Sequence, residues 1–420
     1  MSLKRENDVL KKKLAGYEES PPSRKITCKA STTRKQNRPG RRAGHTGISR
    51  KIPERIDTTV QVTLPSCPHC GTLLGDPVEE RVRYVEDIEP PRSRVTRYRI
   101  HRYFCPTCRT NVSAHPPDVI PHCMLGINVM LLVVYQRYAL HLPYNKIRDN
   151  LEHFFDIKTT DATLINAVRR ISVYYREEFR AIQLQLKKAP YVHIDETGWR
   201  INGVNHWLWT FISDTAVIFK IDKRRSSQVP REVLGDDYGG IIISDFYTAY
   251  NKLPGTKQKC LVHLLRDTKK ISDKNDQARR FHRRIKRFVQ DAARFVKDHP
   301  PSERKRAYKR FSRRLEKIIQ GPYTDPDCMR LVKRLKIHRD SLLTFLEEDI
   351  DYHNNTAERA LRSSVVMRKI TGGNRSRTGA DTHEILMSMC ENSKLCNENF
   401  LEESAHFMRT RLQKGVTSES

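Results

Sequence analysis

The sequence predicts a multidomain α/β protein, with a mixed sheet covered by helices set behind a cysteine-knuckle module and a helical region. Three observations carry that expectation. Residues 189–222 hold three short apolar or alternating runs, "APYVHID", "HWLWTFIS" and "TAVIFKI", broken at "RINGVN" and at Ser213-Asp214, as successive antiparallel strands would be. After them the pattern alternates, with helix-like "SSQVPREVLG", the β-branched run "GGIIISD", and "KQKCLVH" leading into another helix. Long stretches on either side space their apolar residues as helices do.

At 420 residues the chain has room for several domains and needs no covalent staples. Lys and Arg outnumber Asp and Glu by 78 to 49, a net charge of +29 that does not suit an enzyme of small neutral substrates. Its natural counter-charge is a polyanion, of which nucleic acid is the commonest. The strongest apolar run, "MLLVVY", is far short of the roughly 20 residues of a spanning helix. "MSLKRENDVLKKKL" is too charged for a signal peptide, so a soluble, cytoplasmic protein without a membrane partner is expected.

Residues 1–60 read as a short leucine-spaced helix followed by a basic Ser/Pro/Gly-rich arm. Sixteen basic against six acidic residues, Arg41 and Arg42 among the former, make this arm too polar for a core. It is a solvated linker or an arm lying along DNA phosphates, and the uncompensated charge favours the arm. Over 61–116, "CPHCG" and "CPTCR" place Cys67, Cys70, Cys105 and Cys108 as two knuckles. Four thiolates match the tetrahedral preference of structural Zn2+ and leave no open position for chemistry. "RVRYVEDIEP" and "RVTRYRIHRYF" between them read as strands that join the knuckles into a zinc ribbon.

Residues 117–188 read as a helical DNA-binding region. Leu142-Pro143 opens one helix, and Asp161 caps a second whose stripe is Leu164, Ile165, Val168 and Ile171. This is a helix-turn-helix or a plain helical hairpin. The sheet occupies 189–274 and resumes over 346–397, with a basic helical insertion at 275–345 and a C-terminal helix and tail at 398–420. Across 266–317 there are twenty basic and seven acidic residues, while Phe281, Ile285, Phe288, Val289, Ala292, Phe295 and Val296 form an apolar stripe. The opposite face, with Arg283, Arg284, Lys286 and Arg287, is a solvated surface or a track for phosphates. The charge excess favours the track. "TGGNRSRTG", bounded by Lys369 and containing Arg375 and Arg377, is a simple surface turn or a loop approaching phosphates.

Two carboxylates stand at strand ends, Asp195 closing "PYVHID" and Asp245 closing "IIISD". Such ends gather at the edge of an α/β sheet, where sites form. Carboxylates clustered there bind hard divalent cations, and two Mg2+ ions about 3.5–4 Å apart serve phosphoryl transfer. Glu358 in "NNTAERALR" is ambiguous by itself. Paired with Arg362 four residues on, it would stabilise a helix by only about 0.2–0.5 kcal/mol, and the asparagines before it read as caps.

"HIDETGW", "HWLW", "SDFYTAY", "CLVH", "NNTAERALR" and "RKITGGNRSRTGA" follow one another in that order, with "RRAGHTG" and the knuckles upstream. On these motifs, which span nearly the whole chain, the sequence resembles DDE transposases of the insertion-sequence-66 type. The resemblance implies a ribonuclease-H-like mixed sheet split by the helical insertion. It implies Asp195, Asp245 and Glu358 as a catalytic triad holding two Mg2+ (or Mn2+) ions, with Glu196 and Asp214 as bystanders. His263 of the Cys-x-x-His motif and Arg362 would be accessory. The expected function is a DNA transposase that binds terminal inverted repeats, cleaves the transposon ends and joins them to target DNA. Double-stranded DNA is then the partner, the chain would be a nucleoid-associated homo-oligomer when ends are paired, and Zn2+ is structural. The alternatives are an inactive zinc-ribbon DNA-binding protein derived from a transposase, or a nuclease without strand transfer.

Overall fold

The computed structural model describes residues 52–88, 91–114, 116, 119–121 and 123–418; the basic arm, with Arg41 and Arg42, lies outside them. The chain divides into two units, 1–89 and 90–420. In the first, the Cys67–Cys70 knuckle is a tight turn. Gly71 N–H donates to the Cys67 carbonyl and Cys67 N–H to the Thr72 carbonyl, both at 2.8 Å. Gly71 takes φ +76°, the left-handed conformation that closes such a turn without a Cβ penalty.

The second unit opens with a hairpin of β1 (Arg102–Cys105) and β2 (Thr110–Ser113), whose turn carries the Cys105–Cys108 pair. The strands expected over 81–104 are confined to Arg102–Cys105. The preceding residues are exposed on successive positions, with no second layer to bury an alternating face.

Four helices follow: α1 (Ile127–Tyr138), α2 (Tyr144–Phe155), α3 (Asp161–Tyr174) and α4 (Arg176–Lys188). Thr160, not Asp161, caps α3, its hydroxyl accepting from the Thr163 N–H at 3.2 Å. Asp161 occupies the first turn, where its charge suits the helix dipole. Leu164, Val168 and Ile171 are buried as expected, whereas Ile165 is exposed.

The sheet has the order β5-β4-β3-β6-β7, with β3 (Tyr191–Ile201), β4 (Val204–Ile212), β5 (Val217–Asp222), β6 (Ile241–Ser244) and β7 (Thr256–Lys259). β3, β4 and β5 form the antiparallel meander, while β6 runs parallel to β3 and β7 to β6. The short helix α5 (Gln228–Leu234) supplies the connection from β5 to β6. Each face of the sheet has its own core. Val192, Ile194, Trp209, Phe211 and Ile242 pack with Val229 and Val233 of α5. On the other face Trp199, Leu208, Val217 and Phe219 share one cluster with α1, α3, α10 (Asn355–Thr371), α11 (Arg377–Leu395) and α12 (Phe400–Ser418). Leu208 and Trp209 fall in different cores because strand side chains alternate faces.

The sheet edge at β5 is covered by α11. Asn392 Oδ1 accepts the Val217 N–H at 2.9 Å, Ser388 Oγ the Phe219 N–H at 3.0 Å, and Glu384 Oε1 the Ile221 N–H at 2.9 Å. Four helical residues advance about 6 Å and two strand residues about 6.7 Å, so side chains at i, i+4 and i+8 meet alternate edge amides. The helix thereby satisfies an edge that would otherwise offer itself to another strand.

Between β7 and α10 the chain forms a separately cored insertion. Here α6 (Leu261–Ile271), α7 (Asp276–Asp298), α8 (Pro301–Ile319) and α9 (Pro326–Ile337) bury Phe281, Ile285, Phe288, Phe311, Leu331 and Phe345. The basic block 266–317 runs from the end of α6 through α7 and into α8, the last two parted at His299-Pro300 where α7 ends. Proline there lacks the N–H that would continue α7, and it sits well at the start of the next helix.

Candidate active site

The parallel pairing of β3 with β6 aligns Tyr191 with Ile241, Val192 with Ile242 and His193 with Ile243. The same offset, carried past the last paired residues, sets Asp195 level with Asp245, which directly follows β6; the strand end expected at Asp195 is not observed, because β3 runs on to Ile201 where its hairpin with β4 continues the ladder. Both aspartates also accept from the backbone just after them. Asp195 Oδ1 accepts the Glu196 N–H at 3.0 Å, and Asp245 Oδ1 accepts the Tyr247 N–H at 2.8 Å. Burial, reinforced by the carboxylates of Glu196 and Asp245, pushes Asp195 up to about 8, with Glu358 adding to the same effect.

Glu358 reaches this edge on the first turn of α10, and Asn354 holds it there. Asn354 is 0% exposed and does not cap the helix with its side chain. Its Nδ2 donates to the Ile194 carbonyl at 2.8 Å, its Oδ1 lies 3.1 Å from His193 Nδ1, and its own N–H reaches Cys260 Sγ at 3.2 Å. The expected capping role is thus replaced by a tether to the strand preceding Asp195. A buried amide finds more partners between strand and helix than at a helix start.

The guanidinium partner of Glu358 is Arg266 of α6, not Arg362. Arg266 Nη1 and Nη2 donate to the two carboxylate oxygens at 3.1 and 3.0 Å, while Arg362 is exposed one turn along α10. The fork-on-carboxylate geometry explains the preference. His263 stands beside the pair, its Nε2 being 3.6 Å from Glu358 Oε1. Asp195, Asp245, Glu358 and His263 thus share one edge. Among the described residues, however, no three His, Cys, Asp or Glu side chains are gathered closely enough to hold an ion.

Glu196, expected as a bystander to the triad, is tied into the fold. It alternates to the face opposite Asp195, its side chain is 2% exposed, and it accepts from Arg225 Nε at 3.0 Å, Arg225 Nη2 at 2.8 Å and the Tyr250 hydroxyl. Arg225 is stacked between Trp207 and Tyr247, 4.1 and 4.3 Å from the ring centroids. Lys259 is a residue that sequence reasoning missed. It is fully buried at the end of β7, and its Nζ donates to the Asp245 carbonyl at 2.9 Å and to Ser244 Oγ at 3.2 Å. Burial pushes its ammonium down to about 8. The signal for Glu196 was its place directly after Asp195; Lys259 had none, because a lysine in a four-residue strand reads as a surface residue.

Asp214, also read as a bystander, accepts from the Tyr191 hydroxyl at the other end of the sheet. Of the basic residues expected to meet DNA, Arg283, Lys286, Arg287, Lys369 and Arg375 are exposed. Two others are engaged within the chain. Arg284 donates to the Tyr323 hydroxyl at 3.0 Å and the Lys317 carbonyl at 2.8 Å, and Arg377 to the Ile221 carbonyl at 2.8 Å and Glu384 at 2.9 Å. A charge count cannot separate such cations from free ones. The loop "TGGNR" is likewise docked: Asn374 N–H donates to the Arg200 carbonyl at 2.9 Å, and Trp199 Nε1 donates to Asn374 Oδ1 at 2.8 Å.

Each cysteine pair is a turn in its own right. Hydrogen bonds from Thr72, side chain first, hold Cys70 down to about 7, and the backbone N–H groups of Cys108 and Thr107 lower Cys105. Turns that favour thiolate suit zinc ligation.

An α/β domain that brings two aspartates from neighbouring parallel strands and a helix glutamate to one edge, in a chain with cysteine knuckles upstream, belongs to a recognisable class. Residues 122–382 match the family model described as "Transposase IS66 family", and residues 65–109 match the "zinc-finger binding domain of transposase IS66". The chain belongs to the IS66 transposase family. It is also similar to the uncharacterized protein y4jO of Sinorhizobium fredii (strain NBRC 101917 / NGR234), 28% identical over 181 residues. That similarity covers 43% of this chain and 52% of the relative, so the chain spans about half the length of the curated protein it matches. Among the described residues no helix is long and apolar enough to cross a membrane.

Proposed function

We propose that this chain is a DNA transposase that binds terminal inverted repeats, cleaves the transposon ends and joins them to target DNA, with a ribonuclease-H-like sheet as its catalytic core. The observation that carries this reading is the register placing Asp195 and Asp245 side by side, with the helix of Glu358 tied to the same strand. All three donors are hard carboxylate oxygens, and burial together with the neighbouring carboxylates disfavours the Asp195 anion, so the residues suit divalent metal. Two Mg2+ (or Mn2+) ions held by Asp195, Asp245 and Glu358 would supply Lewis-acid activation and charge neutralisation for in-line phosphoryl transfer.

The protein's own part is placement. β3 and β6 fix the two aspartates, Lys259 braces the backbone of Asp245, and Asn354 sets the position of the Glu358 turn. His263 stands where a hydrogen bond to a phosphate or to Glu358 can form. The exposed face of α7, with Arg283, Lys286 and Arg287, would track DNA phosphates and fix the duplex without reading its sequence. Cys67, Cys70, Cys105 and Cys108 would hold a structural zinc, for which metal analysis should find roughly one ion per chain. The protein would act in the cytoplasm at the nucleoid, as a homo-oligomer when two ends are paired.

The deciding experiment incubates the protein and Mg2+ with a labelled transposon end and a supercoiled target. Joined product is expected. Binding without cleavage would make the chain a DNA-binding derivative, and cleavage without joining a nuclease. Asp195→Ala, Asp245→Ala and Glu358→Ala should each abolish cleavage and leave end binding intact; retained cutting removes that residue from the mechanism.

A further inference from the structure

We infer that Arg266 is a built-in counter-ion that holds Glu358 away from divalent metal until the metal displaces it. The inference rests on the reading of Asp195, Asp245 and Glu358 as a metal-binding set. Both oxygens of Glu358 are taken by one guanidinium at 3.1 and 3.0 Å, which occupies one lone pair on each and blocks bidentate chelation of a metal from that side. Arg266 also reaches His263, with Nη1 3.4 Å from Nε2, so one side chain occupies both groups beside the aspartates. His263 Nδ1 is buried without a hydrogen-bond partner. Its ring is therefore held from one side only.

The arrangement accounts for two facts that otherwise sit awkwardly together. Three carboxylates are delivered to one edge, yet among the described residues no three metal-ligating groups close around a single point. With Glu358 turned to Arg266, Asp195 and Asp245 are left as a two-ligand site of reduced affinity. Arg266 is half-exposed, at 49%, and Glu358 is 29% exposed, so the pair can open without dismantling a core. A long arginine on the surface of α6 can swing to solvent or to a phosphate, whereas Glu358 is tied through α10 to β3. Arg266 is accordingly a positioning residue that acts through Glu358.

The test measures Mn2+ binding to the full zinc-loaded chain, without DNA, by electron paramagnetic resonance. Arg266→Gln removes both the competitor for Glu358 and a repelling charge, so its affinity should rise about tenfold, equivalent to about 1.4 kcal/mol. Arg266→Lys, which keeps the charge but not the fork, should lie between it and the wild type. The gain should vanish in Arg266→Gln combined with Glu358→Gln. A brace that merely orients Glu358 predicts the opposite sign, so unchanged or weaker Mn2+ binding in Arg266→Gln and Arg266→Lys, at wild-type thermal stability, overturns the inference. Asp195→Asn separates the underlying reading: if it leaves wild-type Mn2+ binding unaltered, the carboxylate set itself is not a metal site.

Discussion

The Nδ2 of Asn354 donates to the carbonyl of Ile194 at 2.8 Å, so the helix that carries Glu358 is fastened to the strand that carries Asp195. The bond spans 160 residues of sequence and the whole helical insertion. Asn354→Ala would leave the Ile194 carbonyl and the His193 ring buried without their partner. The expected cost is about 1–3 kcal/mol of stability, with loss of cleavage. Asn354→Asp keeps the size but not the donor and should be no better. Urea denaturation of both variants checks this, and a wild-type midpoint in either would remove the tether from the account.

Gly373 takes φ +114°, and a Cβ there would stand 2.3 Å from the Arg200 carbonyl oxygen. Neither the conformation nor the backbone oxygen can yield cheaply. Gly373→Ala should therefore undock the Asn374 loop and lower stability by about 1–3 kcal/mol. Tryptophan fluorescence provides a local readout, because Trp199 loses its Asn374 acceptor when the loop leaves.

The ladder of Asn392, Ser388 and Glu384 along β5 makes a graded prediction. Ser388→Ala deletes one acceptor and should cost about 1 kcal/mol, while Asn392→Ala, which also deletes a donor to the Val217 carbonyl, should cost about 1–3 kcal/mol. Amide hydrogen exchange should accelerate at Phe219 in the first variant and at Val217 in the second. Unchanged protection at both would mean that packing alone guards the edge.

Acid should weaken the fold through His383. Burial among Tyr138 and Trp199 pushes this imidazole down to about 3. The unfolded chain binds a proton near pH 6.5 that the folded chain refuses, so stability rises with pH across that interval. As pH falls from about 6.5 towards 3, this group removes stability at a limiting slope of about 1.4 kcal/mol per pH unit. His383→Gln should lose that one-proton slope in chemical denaturation compared between pH 6 and pH 5. An unchanged slope would show that His383 is protonated in the folded state.

Much of the sheet was readable from periodicity. The meander, the buried "IIIS" strand and the short helix before it follow from alternation, β-branching and turn residues, which act over a few neighbours. The strands expected between the knuckles were misread because β-rich composition describes what fits a half-buried surface, and most of 81–101 has none to fit. Asn354 was read as a cap for the same reason, since capping is the local use of an asparagine before a helix and a partner 160 residues away leaves no local trace. Arg362 was the neighbour four residues along the helix, while the guanidinium actually seated on Glu358 comes from 92 residues upstream.

By itself the sequence determined the strands and helices of the sheet domain, the place of Asp245 just after a buried strand, and the basic excess that calls for a polyanion. These depend on side-chain alternation, propensity and charge, all of which are properties of short segments or of plain counting. The tertiary structure decided the rest: that Asp195 and Asp245 share a register, that Asn354 brings Glu358 to them, and that Arg266 rather than Arg362 neutralises it. It also decided that Lys259, unremarkable in the sequence, is buried against the backbone of Asp245. Hydrogen bonds and ion pairs depend on distances of about 3 Å between groups far apart in the chain. Such distances exist only once the sheet has closed and the insertion has folded back on it.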